Sequence, residues 1–219
     1  MMRMILISII LIFGLTATSS FAAVGCSLND PDRDVRRLFP ESTGYKTQFI
    51  TIEEKGGKML AQEIEKKLRD KLDPIYESLD VPYAYYIVLK GKEAIGRIHG
   101  VNQKGMYGGM QLILATDLKG KILSFHYQKI SSPEANKFRS LSFTNQFTGL
   151  TLADFYYHDA MKEMERELDK IAKIKNPTDK SHDDFKATLR GIKKNLILLD
   201  IFFLNRKYDE TLINQMREE

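Results

Sequence analysis

Two pairs of strand-like runs between Tyr83 and Ile130 constrain this chain more than any other feature. In YAYYIVLKGKEAIGRIHG, aromatic and β-branched residues flank a turn at Lys90-Gly91-Lys92. In MQLILATDLKGKILSFHYQKI, Met110, Leu112 and Leu114 share one face. Leu123, Phe125 and Tyr127 alternate after a second turn at Asp117 to Gly120. A period of two places alternate side chains on opposite faces, so the two hairpins predict one antiparallel β-sheet.

The flanking segments change period. Leu60, Ile64, Leu68 and Leu72 stand four apart, which predicts an amphipathic helix over 57–72, stopped by Pro74. Beyond Gly149, LADFYYHDAMKEMERELDKIAKI and DDFKATLRGIKKNLILLDIFFLNRKY predict long helices separated at Asn176-Pro177. The expected architecture is α+β, an antiparallel sheet of two hairpins with helices packed on it and long C-terminal helices. The run Leu196 to Leu204, LILLDIFFL, is too short to cross a bilayer and reads as a buried helix face; docking on a membrane complex is the functional alternative.

The N-terminus reads as an export signal. One cation at Arg3 precedes an apolar stretch from Ile5 to about Leu15, followed by small residues. The expected organisation is a signal peptide over 1–25, a polar tether over 26–36, and one domain over 37–219. Ser20-Phe21-Ala22 suits ordinary cleavage, whereas Ala23-Val24-Gly25-Cys26 could be a lipobox that makes Cys26 the lipidation site. Export places the protein in the periplasm or on the outer face of the cytoplasmic membrane. Cys26 is the one cysteine of the 219 residues, which excludes an internal disulfide and a multi-thiolate metal site. The formal charge of +4 is too small and too dispersed for a nucleic-acid footprint.

The segment KGMYGG brings Gly105, Gly108 and Gly109 together beside a strand. Glycine in that setting marks a positive φ, a tight connection, or the close approach of another group, which could be a ligand or the protein itself.

The order of features around it resembles the FMN-binding domain of the flavin-carrying subunits of Rnf and Na+-translocating NADH:quinone oxidoreductase complexes. That family carries K-G-Y-G-G-P, I-D-x-D-G-K-I, E-T-P-G and F-x-x-Q-F-x-G segments. The corresponding pieces are Gly105, Tyr107, Gly108 and Gly109; TDLKGKI from Thr116; SSPE from Ser131; and SFTNQFTG from Ser142. LFPEST at Leu38 is similar to the family's opening. Met110 stands in place of the proline, and Ser131 and Glu134 replace the first and last residues of E-T-P-G.

The resemblance implies an FMN-binding flavoprotein of envelope electron transport. Tyr107, Gly108, Gly109, Ser131, Ser132, Pro133 and Glu134 would line the site, with Lys104, Lys129 or Lys137 assisting at the phosphate. Its partner would be a redox protein or a membrane electron-transport complex. In covalently flavinylated members an S-G-A-T-like motif carries the FMN; the analogue here is DDFKATLRG, with Thr188 as acceptor but Phe185 and Lys186 in the Ser-Gly positions. Noncovalent FMN is therefore the expected form. The alternative is a flavin-free binding or assembly module of the cell envelope on the same fold.

Other chemistry finds little support. No G-x-S-x-G elbow or Walker loop is present, and no two of His99, His126, His158 and His182 stand at a metal-binding helical spacing.

Overall fold

The computed structural model describes residues 26–155 and 170–209. The proposed signal peptide and most of the helical segment read after Gly149 lie outside them. Five antiparallel strands form one sheet in sequence order: β1 Gly44–Ile50, β2 Tyr83–Lys90, β3 Glu93–Gly105, β4 Gly108–Thr116 and β5 Ile122–Ile130. The helices are α1 Pro31–Leu38, α2 Ile52–Leu68, the short α3 Ala135–Phe138 and α4 Leu141–Thr144, and α5 His182–Phe203. The α+β class is as the sequence indicates, with one strand added at the edge of the sheet.

Each face of the sheet has its own cover. Tyr83, Tyr85, Val101, Leu112, Leu114, Phe125 and Tyr127 face α2 and α5, and this side holds the larger core. Ala84, Tyr86, Val88, Ile98, Ile113 and Ala115 face the N-terminal segment. The alternation that predicts a sheet therefore sorts two cores of different size, and both sides of the central strands are apolar because both are covered.

Residues 31–38 fold as a helix where the sequence reads as a tether. Asp30 accepts a hydrogen bond from the Arg33 amide, Pro31 occupies the first turn, and Asp32 and Asp34 sit at the positive end of the helix dipole. Val35 and Phe39 are buried below, and the Phe39 ring lies over Gly96. Phe39 thus anchors this segment on the sheet.

Helix α2 also departs from its expected limits. It starts at a Thr51/Glu54 capping box, is kinked at Gly56 and Gly57, and ends where Arg69 takes a left-handed φ of 60°. Leu60, Ile64 and Leu68 form its buried stripe as expected; Leu72 lies beyond the helix, packed against the core. No helix among the described residues is long and apolar enough to cross a membrane.

Candidate functional site

The glycine-rich segment is the hairpin that joins β3 to β4. Gly105 pairs with Gly108, and Met106 and Tyr107 stand exposed at the tip. Each glycine makes room for the protein's own atoms. A Cβ on Gly105 would strike the Met110 side chain and lie 2.9 Å from Asp184 Oδ1, and one on Gly109 would lie 2.9 Å from the Tyr76 ring. Gly108 has a φ of 132°, and its open side faces Ser131 at 3.3 Å. Close packing within the chain accounts for Gly105 and Gly109, and a positive φ for Gly108.

The segment after β5 only partly joins this hairpin. Ser131 Oγ donates to the Gly109 carbonyl at 3.2 Å. Ser132 Oγ accepts from the Glu134 amide, and the exposed Pro133 lies between them. Glu134 turns away, accepting from Lys137 Nζ at 2.6 Å and from Thr178 Oγ1 at 3.1 Å. These two donors, Lys137 first, hold its carboxyl below the usual range.

A cleft of about 490 Å³ opens on the α5 side of the hairpin. Gly105 and Met106 form one wall, Leu72 and Pro74 a second, and Asp183, Lys186 and Ala187 on the first turns of α5 a third. Two segments singled out in the sequence, KGMYGG and DDFKATLRG, therefore meet at one opening. Their junction is Asp184, whose Oδ1 accepts from the Met106 amide at 2.8 Å. Tyr107, Gly108, Gly109 and Ser131 to Glu134 are not among the cleft's lining residues.

Thr188 lies one turn further along α5 and is fully buried. Its hydroxyl donates to the Asp184 carbonyl at 2.7 Å, so at 2.6 Å from Tyr127 OH it must be the acceptor. The proposed acceptor for covalent flavin is thus sealed and engaged on both sides. Cys26 is sealed too. It is 2 % exposed, its sulfur lies over Gly100, and burial, eased only slightly by the Lys194 charge, pushes its thiol up to about 12. A lipid on that sulfur would require the chain to leave this position.

The back of the cleft is an ion cluster that sequence reasoning missed. Arg190 gives Nε to Asp70 at 2.5 Å, Nη1 to Glu77 and Gln103 at 2.8 and 2.7 Å, and Nη2 to the Lys71 carbonyl and Glu77 at 2.7 and 3.1 Å. All five N–H donors of the guanidinium are used. Lys194 also reaches Glu77 and donates to the Asn102 carbonyl at 2.5 Å. Burial opposes a charge on Glu77, but Lys194 and Arg190 outweigh it and hold the carboxyl at about 2. For the fully buried Lys194 the balance reverses, and desolvation lowers its pKa despite Glu77. The signal in the sequence was LRGIKKNLILLD, in which charges interrupt an otherwise apolar stretch of helix.

A second polar cluster lies farther along α5. His99 Nδ1 is 2.6 Å from Asn195 Oδ1 and its Nε2 is 3.3 Å from Thr116 Oγ1, while its ring stacks on Tyr85 at 5.3 Å. Asn195 Oδ1 can only accept, so the proton sits on Nδ1. Burial outweighs this bond and lowers the imidazole to about 4. His126 is on the opposite face of the sheet, opposite Ile113, so these two histidines share no site. No cluster of three potential metal ligands occurs among the described residues.

Fold and site together define an α+β domain with a cleft where a strand hairpin, an inter-element loop and a helix start converge. The chain matches no family model and no curated protein.

Proposed function

We propose that this chain is an exported, FMN-binding-domain-like protein of the bacterial envelope that holds FMN noncovalently in the cleft and relays electrons to a redox partner. The observation that carries this reading is the meeting of the KGMYGG hairpin with the DDFKATLRG segment at a single opening. Its volume of about 490 Å³ falls in the ~300–1,000 Å³ range of small-molecule sites. Leu72, Pro74, Met106 and Ala187 would lie against the flat ring, and Lys104 and Lys186 would face the phosphate. FMN supplies the electron chemistry when bound; the protein supplies placement and charge. In this reading Thr188 takes no part in attachment; its enclosed hydroxyl supports that.

A second reading, a flavin-free binding or assembly module on the same fold, is favoured by the saturated Arg190 and by the glycine positions filled by Tyr76, Met110 and Asp184. The visible spectrum of the purified protein and a titration that follows quenching of FMN fluorescence separate the two. Flavin absorbance that bleaches with reductant, or saturable quenching, supports the carrier. A colourless protein that leaves FMN unquenched up to about 1 mM, the weak end of specific affinity, rejects it and leaves the module.

A further inference from the structure

The two edges of the sheet are treated differently. At β5, Gly149 donates to the Ile122 carbonyl at 2.8 Å and Ile122 donates to Leu150 at 2.9 Å, so a loop closes one end of that edge. Gln128 is engaged by the Ser27 carbonyl at 2.7 Å and the Asn29 amide at 2.9 Å. At β1 the outer edge pairs with no described strand. It has no proline, its register with β2 is unbroken by a bulge, and Lys46 is its one charge. Of the devices by which monomeric proteins protect such edges, proline, bulges and charged side chains among them, β1 carries the single Lys46. Residues 46–49 are exposed, and Phe49 keeps 61 % of its surface in solvent.

The strand is also complementary to itself. An antiparallel pairing of GYKTQFI with a second copy about Thr47 overlaps all seven residues. It sets Tyr45 opposite Phe49 twice, Lys46 opposite the neutral Gln48 twice, and Thr47 opposite Thr47 on the two-fold axis. Tyr45, Thr47 and Phe49 all point to the α1 side, because they lie opposite Val88, Tyr86 and Ala84. The new aromatic pairs would extend the Tyr45–Tyr86 contact already present at 5.7 Å. Aromatic cross-strand pairs are favourable, and the two Lys46 ammonium groups stand diagonally, roughly 8 Å apart or more, where salt screens them.

We propose that β1 is a self-association site, through which two copies of this chain join their sheets edge to edge about a two-fold axis at Thr47. A single strand from each copy makes a small interface, so the dimer belongs to the weak class below about 1,200 Å² of buried surface. A closed two-fold leaves neither copy with a free β1, which stops the assembly at two.

Sedimentation equilibrium of the intact folded protein over a wide concentration range tests this, together with Thr47→Lys, Phe49→Lys and Thr47→Cys. The wild type should pass from one to two chain masses. Thr47→Lys sets like charges face to face and should weaken the dimer by about tenfold or more; Phe49→Lys should also weaken it. Both sites are exposed, so circular dichroism and melting should be unchanged. Mild oxidation of Thr47→Cys should give a cross-linked dimer, because opposed Cβ atoms lie about 4.5–5.5 Å apart; Lys92→Cys, an exposed turn position, should give none. A wild type that stays at one chain mass at the highest concentration overturns the proposal. So does a dimer that Thr47→Lys leaves intact, or equal cross-linking at residues 47 and 92.

Discussion

Replacing Glu77 with Gln removes one negative charge from between two buried cations while leaving the side-chain shape almost unchanged. The carboxyl falls from 4.5 to about 2 on folding. At about 1.4 kcal/mol per tenfold change in proton affinity, this corresponds to roughly 3 kcal/mol of stability. Because the folded pKa is the lower one, the contribution is complete above about 4.5 and drains as pH falls toward 2. Roughly 2 kcal/mol of it should be gone by pH 3. Burial lowers the pKa of Lys194 despite Glu77, which works against this contribution. Urea unfolding followed by circular dichroism, for wild type and Glu77→Gln at steps from pH 7 to pH 3, reads the difference directly. The variant should be less stable by about 3 kcal/mol at neutral pH, the cost of breaking a buried pair, and the gap should shrink toward pH 3. A gap that stays constant with pH would refute the assignment of the charge to this cluster.

Four further outcomes follow from the same geometry. His99 should stay neutral until pH approaches 4; its stabilising effect, present above about 6.5 and lost below, should vanish in His99→Gln, and an NMR titration that assigns it a midpoint near 6.5 would contradict its burial. Thr188→Val should leave Tyr127 OH without its partner and lower stability by about 1–3 kcal/mol in a thermal melt; the wild type, made alongside a flavin transferase, should show no fluorescent band after denaturing electrophoresis. Gly105→Ala forces a methyl group onto Met110 and Asp184 and should cost about 1–3 kcal/mol, with FMN quenching weakened if the cleft is the site. The Cys26 thiol should resist a thiol reagent in the native protein and react fully in denaturant; palmitate labelling abolished by Cys26→Ala would show that the lipid is added before this packing forms.

The periodic elements were the legible ones. Alternation at Met110 to Leu114 and at Phe125 and Tyr127 identified β4 and β5, and the stripe Leu60, Ile64 and Leu68 identified α2. Leu123, read as part of the same face, is exposed, and Ile122 is buried in its place, because the register between β4 and β5 shifts at Ala115/Thr116. Strand β1 was missed because an edge strand with four exposed residues in a row carries no alternation to read. Helix α1 was missed because its eight residues hold few apolar positions; its cap at Asp30 and Pro31 was the available signal. Glycines at 105, 108 and 109 were read as marking a positive φ, a tight connection or a close approach, but a glycine does not say which; Gly108 has the positive φ, and the atoms that crowd Gly105 and Gly109 belong to Met110, Asp184 and Tyr76.

By itself the sequence determined the α+β class, the hairpin turns and the buried character of α5, since these depend on repeats of two and of about 3.6 residues along one stretch of chain. Only the tertiary structure decided that Glu77 would meet Arg190 and Lys194, that Thr188 would be closed off by Tyr127, and that the hairpin and α5 would frame a cleft. The physical reason is distance along the chain. These partners lie 61 to 117 residues apart, and local periodicity contains no information about which buried charge another buried charge will find.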